Sequence, residues 1–169
     1  MTVSGVLPAP LVSWRALTAS AEQTRALAAA LAAAARAGDR IALIGPLGAG
    51  KTQFAKGFAT GLGIRDVVNS PSFTLMAEYQ GRLTLFHQDL YRLAGTAEVL
   101  AGGLLDERQD EGVTLSEWAE RLDDALDPAR LTVTIDPLAD EQRSIELRGH
   151  GEIAVRYIAA ARVWQAAGA

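Results

Sequence analysis

Short apolar runs alternate with longer helix-forming stretches in the first third of the chain. They predict strands at 11–17 and 40–44 and helices at 21–37 and 53–60. The run 40–44 is apolar from Ile41 to Ile44, which is typical of a strand buried on both faces of a sheet. Ser20 offers a side-chain oxygen that can cap the first helix, and the alanine and leucine content after it favours helix.

The rest of the chain carries shorter elements. Strands are predicted at 73–79, 82–86, 112–116, 131–135 and 144–147, a loop at 67–71, and helices at 96–101, 104–108, 118–126 and 151–165. The strands 73–79 and 82–86 flank Gln80-Gly81 and are expected to pair as a hairpin. There is no internal repeat, linker or change in composition. The pattern therefore predicts one mixed α/β domain over 11–169, preceded by a loose tail over 1–10.

Composition and charge exclude several classes of protein. The chain has no cysteine, which excludes a disulfide scaffold, a cysteine zinc site and a thiol nucleophile. The formal net charge of -4 argues against a free-standing nucleic-acid binder with a basic surface. No apolar run approaches the ~18 residues of a transmembrane helix, and the start of the chain lacks the features of a secretory signal. We therefore expect a cytoplasmic protein with no membrane partner.

The segment GPLGAGKT, residues 45–52, matches G-x-x-x-x-G-K-[ST] without a gap. Glycines in this motif let the backbone turn tightly and present N–H groups to phosphate oxygens. The helix that follows adds unpaired N–H groups and the positive end of its dipole. Lys51 is expected to reach the β- and γ-phosphates, and the Thr52 hydroxyl to bind Mg²⁺. The motif lies between a predicted buried strand and a predicted helix, so the sequence indicates a nucleotide site of the phosphate-loop kind.

Two acidic residues lie near the ends of predicted strands, where an α/β sheet places its ligands. Asp89 follows the strand 82–86, and Glu117 follows the strand 112–116. Either carboxylate can hold the water shell of a metal or orient a nucleophile. Residue type alone is equally consistent with a turn or N-cap aspartate at 89, and local pattern alone favours a solvated glutamate that starts a helix at 117.

His87 and Trp118 are neighbours of these acids in the sequence. Because no serine elbow accompanies His87, we interpret it as a packing residue of a strand and not as a catalytic base. Trp118 belongs either to the core or to a surface that faces a partner. The sequence alone leaves that choice open.

Four segments, in their order and spacing, resemble the TsaE family, also called YjeE: GPLGAGKT, SPSFTLMAEYQ, HQDLYRL and LSEWAE. The resemblance covers residues 20–149. The family comprises small bacterial P-loop ATPases needed for the threonylcarbamoyl modification of adenosine 37 in tRNAs. It implies a single-domain, P-loop NTPase-like α/β fold, a mixed sheet flanked by helices, that binds ATP and Mg²⁺. It also implies TsaB and TsaD as partners, whose complex the ATPase keeps turning over, with tRNA contacted only within that assembly.

The resemblance assigns roles to individual residues. Nucleotide binding falls to Gly45, Gly48, Ala49, Gly50, Lys51, Thr52, Gln53 and Ser72, metal binding to Thr52, Asp89 and Glu117, and catalysis to Lys51, Asp89 and Glu117. The family usually has threonine where Ser72 stands and often a second hydroxyl residue where Gln53 stands. Serine keeps the hydroxyl, and Gln53 keeps its backbone N–H, so both changes are expected to preserve binding.

Two other functions remain open from the sequence. A small-molecule kinase such as shikimate kinase has a similar length and loop, although the kinase's D-x-D segment and arginine-bearing lid are not found here. The second is a nucleotide-dependent regulator without turnover. Lys51 is the one obvious cation for the transition state, and Arg92 is the nearest candidate for an arginine finger. We therefore expect slow intrinsic hydrolysis that partners accelerate.

Overall fold

A computed structural model describes residues 9–71, 75–90, 107–119 and 130–168. Within these ranges the strands are β1 Leu11–Thr18, β2 Arg40–Ile44, β3 Met76–Tyr79, β4 Leu85–Asp89, β5 Val113–Glu117, β6 Leu131–Pro137 and β7 Arg143–His150. The helices are α1 Ala21–Ala32, α2 Lys51–Gly61 and α3 Gly151–Ala166, with a 3-10 helix at Glu107–Glu111. The strands form one sheet in the order β1-β7-β6-β2-β5-β4-β3, which confirms the predicted mixed α/β class.

The middle of the sheet is parallel and its margins are antiparallel. Strands β4, β5, β2 and β6 run parallel to one another, while β3, β7 and β1 are antiparallel to their neighbours. Every residue of β4 and β5 is buried, whereas β6 and β1 mostly alternate between buried and more exposed positions. Parallel strands bring their carboxyl ends to one edge of the sheet, which is where such folds bind ligands.

The apolar core lies between the sheet and the helices. Helix α1 packs against both α2 and α3, and α3 also packs on β7 and β1. The largest fully buried side chains include Tyr157, Phe54, Phe58, Leu27 and Leu31. Over the described residues, no helix is both long and apolar enough to cross a membrane.

Close packing of α1 on α2 depends on two glycines of α2. A Cβ atom at Gly57 would overlap the Arg25 backbone of α1, and one at Gly61 would overlap the Ala29 backbone. These backbones cannot move apart without opening the core on both sides of the contact. The glycines therefore set the distance between the two helices.

We expect Gly57→Ala to destabilise the protein by about 1–3 kcal/mol, the usual cost of an overpacked contact. The sign of this change in the free energy of unfolding is informative, because replacing glycine with alanine inside a helix otherwise stabilises a protein by roughly 0.5–1 kcal/mol. Urea unfolding measures the free energy of unfolding, and Thr60→Ala, at an exposed position of the same helix, serves as the matched control. A gain in stability for Gly57→Ala would contradict the close packing described here.

The structure confirms most predicted elements within the described ranges and corrects the bounds of others. Helix α1 ends at Ala32, five residues before the predicted end at 37, and the backbone passes into turns in which the N–H groups of residues 33–35 donate to carbonyl oxygens three residues earlier. The Arg82 guanidinium donates to the carbonyl oxygens of Ala32 and Ala35 at this point, at 2.8 and 3.1 Å. The start of α1 is as predicted, with Gln23 N–H donating to Ser20 Oγ at 3.2 Å.

The hairpin between β3 and β4 has a longer turn than predicted. Strand β4 begins at Leu85 and not at residue 82, and it runs through Asp89. Gly81 lies in the turn, where it packs against the backbone of Leu62. A Cβ atom at this position would lie 2.5 Å from the Leu62 carbonyl oxygen, so the turn requires glycine here. The predicted helix 96–101 lies outside the described residues, as do most of 104–108 and 118–126.

A buried ion pair ties α3 to the amino end of β2. The Arg156 guanidinium donates to both carboxylate oxygens of Asp39, at 2.6 and 2.9 Å, and Tyr157 Oη donates to the same carboxylate at 2.6 Å. Burial raises the pKa of Asp39, but the hydrogen bonds from Arg156 and Tyr157 outweigh it and hold that pKa below its ordinary value. Burial and the bond to Asp39 raise the pKa of Tyr157, so its hydroxyl remains a donor.

This pair predicts a loss of stability in acid. A carboxyl whose pKa is lower in the folded state contributes fully above its unfolded pKa of about 3.9 and loses that contribution as the pH falls through the folded value. Asp39→Asn should therefore lower the free energy of unfolding by about 2 kcal/mol at pH 7 and by less at pH 3. Urea unfolding at both pH values checks this, with Asp136→Asn at an exposed position as the control. An equal loss at both pH values would contradict it.

Candidate nucleotide site

Residues 45–52 connect the central strand β2 to helix α2 at the carboxyl edge of the parallel strands. A Cβ atom at Gly45 would overlap the carbonyl oxygen of Ile135 in β6, so this position accepts only glycine. Gly50 has φ +109°, a conformation that side chains rarely adopt. Among the described residues, no side chain caps α2 at Gly50, so the first N–H groups of the helix have no acceptor within it. Backbone of this form binds anions.

Lys51 is held at the mouth of this loop. Its side chain is buried, and its Nζ donates to the carbonyl oxygens of Gly45 and Pro46. The indole ring of Trp118 lies against it, with the ring centroid 3.4 Å from Nζ, a cation–π contact. Trp118 has φ +57°, a left-handed conformation that costs a non-glycine residue roughly 1–2 kcal/mol. The sequence left Trp118 between core and partner surface, and the structure places it on the loop lysine.

Glu117 joins the loop to the neighbouring strand. It is the last residue of β5, 3% exposed, and its Oε1 accepts a hydrogen bond from Thr52 Oγ1 at 3.2 Å. The other oxygen, Oε2, lies 2.6 Å from Nε2 of His87 in β4. Local pattern favoured a solvated glutamate here, and that interpretation is wrong, because β5 continues through residue 117 and carries the carboxylate into a buried position.

Asp89 lies beside Glu117 at the same edge of the sheet. It is the last residue of β4, pairs with Glu117 in the parallel register, and is 4% exposed. Its Oδ2 accepts a hydrogen bond from Ser70 Oγ at 2.6 Å. Asp89 thus lies at the end of a buried strand and not in the turn that residue type allowed. The structure brings two carboxylates, one serine hydroxyl and one threonine hydroxyl together beside the loop.

These oxygens fit a magnesium ion of the kind that nucleotides carry. No cluster of three or more carboxylate, histidine or cysteine side chains suited to a metal occurs among the described residues. Mg²⁺ does not need one, because it keeps several waters and is usually bound through one or two carboxylates and the phosphates of its substrate. The Thr52 hydroxyl and the Glu117 carboxylate supply such a partial set.

Arg143 is a site residue that the sequence analysis missed. Its Nε donates to the Ala49 carbonyl oxygen at 2.8 Å, and Nη2 lies 3.4 Å from that of Gly48. Nη1 donates to the Asp140 and Gln142 carbonyl oxygens of the β6–β7 turn at 3.0 and 2.8 Å. Arg143 therefore braces the phosphate loop from the side. The sequence contained a signal for this role. A strand was predicted at 131–135, and if that strand runs parallel to β2, the polar turn after it lies at the same edge of the sheet as the phosphate loop.

A small cleft lies between Arg143 and the start of α1. It is lined by Ala21, Thr24, Gly50, Gln53, Glu141 and Arg143. The Gln53 side chain is fixed there, because its Oε1 accepts a hydrogen bond from Arg25 of α1 at 2.6 Å. Two further sequence candidates, Ser72 and Arg92, lie outside the described residues.

The sheet order and the loop after the central strand define an α/β protein with the P-loop NTPase-like architecture. The comparisons with known proteins agree with this class and narrow it. The family model for the threonylcarbamoyl adenosine biosynthesis protein TsaE matches residues 18–145. The chain therefore belongs to the TsaE family.

Individual relatives support the same assignment. A tRNA threonylcarbamoyladenosine biosynthesis protein TsaE from Bacillus subtilis (strain 168) is 44% identical over 141 residues, 83% of this chain and 87% of the relative. The protein of the same name from Treponema pallidum (strain Nichols) is 40% identical over 131 residues, 78% of this chain and 97% of the relative. The crystal structure of YdiB from Bacillus subtilis superimposes with a TM-score of 0.69 at 36% identity, covering 97% of this chain and all (100%) of that one.

Proposed function

We propose that this chain binds ATP with Mg²⁺ at residues 45–52 and hydrolyses it to support the threonylcarbamoyl modification of adenosine 37 in tRNAs. The contact between Thr52 Oγ1 and Glu117 Oε1 at 3.2 Å carries the proposal. It places a loop hydroxyl and a strand-end carboxylate side by side, which is the arrangement that Mg²⁺ beside a triphosphate requires. A glycine-rich segment serving only as a tight turn has no need of this contact.

The phosphates would lie against the backbone of the loop and the first turn of α2. The backbone N–H groups of Gly48 and of residues 50–52 would donate to the phosphate oxygens, while the N–H of Ala49 donates to the Pro46 carbonyl oxygen at 3.0 Å within the loop. Lys51 would exchange its two neutral carbonyl partners for β- and γ-phosphate oxygens. That exchange is favourable, because an anionic phosphate oxygen attracts the ammonium more strongly than a neutral carbonyl oxygen does.

Three side chains would hold the metal and its water shell. Bound Mg²⁺ supplies positive charge that neutralises the phosphate oxygens as the bond breaks. The Thr52 hydroxyl and the Glu117 carboxylate would be its protein ligands, with Asp89 close enough at the end of β4 to accept a hydrogen bond from a water of the metal shell. The bond from Ser70 fixes the Asp89 carboxylate for that role.

The adenine base and ribose would lie in the cleft beside the loop. The side-chain amide of Gln53 offers a polar group at the cleft wall, and the planar guanidinium of Arg143 offers a surface on which a base can stack. The cleft adjoins Gly50, so a nucleotide placed there extends its phosphates directly into the loop. This placement assigns a role to Arg143 in addition to its support of the loop backbone.

Hydrolysis by the chain alone should be slow. Lys51 is a cation of the loop, but Arg143 already donates to backbone carbonyl oxygens, and transition-state charge left without a partner is costly in phosphoryl transfer. We propose that the TsaB–TsaD complex completes the site and that the ATPase sustains its turnover. The net charge of -4 supports tRNA contact within that assembly and not on this chain alone.

Phosphate release, measured with and without TsaB and TsaD, tests the proposal. We expect slow release by the chain alone, at least about tenfold faster release with the partners, and loss of the faster rate in Asp89→Asn but not in the exposed control Asp136→Asn. Fast release that ignores the partners would contradict the partner role. Phosphate transferred to a small molecule would indicate a kinase instead, and no turnover under any condition would indicate a regulator.

A further inference from the structure

We propose that His87 is a positioning residue that sets the metal-binding orientation of Glu117 by donating a hydrogen bond from Nε2. This inference rests on the proposed function, since it assigns a supporting group to the proposed magnesium ligand. Among the described residues, the hydrogen bond of His87 goes to Glu117 and not to the loop or Thr52, so its effect passes through the carboxylate. A packing role in a strand, which the sequence predicts for His87, accounts for its burial but not for this contact.

The geometry gives each Glu117 oxygen a separate partner. His87 Nε2 lies 2.6 Å from Oε2, and Thr52 Oγ1 lies 3.2 Å from Oε1. The His87 side chain is fully buried and that of Glu117 is 4% exposed, so water does not compete for Oε2. A carboxylate held at one oxygen cannot rotate freely, and its other oxygen is directed at the loop. Hydrogen-bonded supporting groups of this kind orient metal ligands throughout metalloproteins.

The second ring nitrogen indicates which form of the ring makes the contact. Among the described residues, the buried Nδ1 of His87 finds no hydrogen-bond partner. A hydrogen on Nδ1 would therefore bury an N–H group without an acceptor, which costs about 1–3 kcal/mol. A hydrogen on Nε2 instead points at the Glu117 carboxylate and leaves only the lone pair of Nδ1 without a partner.

A matched pair of variants separates the hydrogen bond from simple packing. Glutamine places its amide nitrogen three bonds from Cβ, as far as Nε2 in histidine, whereas asparagine places it two bonds away, as far as Nδ1. His87→Gln therefore keeps a donor within reach of Glu117, and His87→Asn does not. We expect His87→Asn to weaken Mg²⁺ binding by the ATP-bound protein about 10–100-fold, and His87→Gln to weaken it less than about threefold.

Calorimetric titration of Mg²⁺ into the ATP-bound variants measures this, and titration of ATP in EDTA measures nucleotide binding without the metal. The metal-free ATP affinity should match that of the unchanged chain in both variants. Unaltered Mg²⁺ affinity in His87→Asn, or a loss of Mg²⁺ affinity in His87→Gln as large as that in His87→Asn, overturns the inference about His87 and leaves the proposed function standing. Failure of the unchanged chain to bind ATP, both with Mg²⁺ and in EDTA, overturns the proposed function and the inference together.

Nitrogen NMR of the unchanged, histidine-labelled chain tests the same point without a variant at 87. The chain has two histidines, so His150→Gln identifies the signals of His87. Nδ1 of His150 lies 2.8 Å from the carbonyl oxygen of Ala9, a contact on the opposite ring nitrogen. We expect His87 to carry its hydrogen on Nε2 with Nδ1 bare. A hydrogen on Nδ1 with Nε2 bare would overturn the inference.

Discussion

Replacing Lys51 with alanine is expected to weaken ATP binding at least about 100-fold. A hydrogen bond to a charged group contributes about 1.5–3 kcal/mol, and Lys51 is placed to make two of them to the phosphates. The loss of both costs about 3 kcal/mol or more, and each 1.4 kcal/mol is a factor of ten in affinity. Calorimetric titration of ATP with Mg²⁺ into the variant and the unchanged chain measures the difference.

The chain offers a close control for this substitution. Lys56 is the other of its two lysines, lies on the same helix α2, and is half-buried away from the loop. Lys56→Ala removes the same charge from the same helix and should change the ATP affinity less than about threefold, because salt screens charges beyond about 8–10 Å. Equal losses in the two variants would mean that net charge, and not the position of Lys51, governs binding.

Glu117→Gln is expected to lower the partner-stimulated rate of phosphate release about 100–1000-fold. The amide keeps the shape of the side chain but removes the negative charge that would balance Mg²⁺, and loss of one group that supports stabilisation of transition-state charge costs about 3–4 kcal/mol in such sites. ATP binding in EDTA should persist, since the phosphate cradle is formed by backbone groups of residues 45–52. Phosphate release at saturating ATP and titration in EDTA measure the two effects.

Glu111→Gln is the matched control for that substitution. Glu111 is exposed at the end of the 3-10 helix that precedes β5, so it carries the same charge near the same strand. Its variant should release phosphate at the rate of the unchanged chain. If Glu117→Gln retained the full rate as well, Glu117 would have no role at the metal, and the assignment of the site would need another carboxylate.

The loop and its two flanking elements could be predicted because their signals are local. The apolar run Ile41–Ile44 and the motif 45–52 are contiguous, and strand β2 agrees with the prediction at both ends. The approach of Asp89 and Glu117 could also be predicted in outline, because parallel strands share a carboxyl edge. Their burial could not, since each prediction ended the strand before the acid.

The remaining features depend on contacts between distant parts of the chain. Arg82, fifty residues further along than Ala32, donates to the carbonyl oxygens of Ala32 and Ala35 at and just beyond the end of α1. Arg143 reaches Ala49 across the sheet. Trp118 meets Lys51 only because the left-handed backbone after β5 turns the ring toward the loop. Helix propensity and hydrophobic spacing describe neighbours in sequence and carry no information on such pairs.

A crystal structure of the chain with Mg²⁺ and a non-hydrolysable ATP analogue shows directly whether residues 45–52 bind the triphosphate. We expect the β-phosphate within hydrogen-bond distance of backbone N–H groups of this loop, Lys51 Nζ moved from Gly45 to the phosphates, and the metal beside the Thr52 hydroxyl. A nucleotide bound elsewhere on the molecule, or one whose phosphates leave this loop untouched, would contradict it.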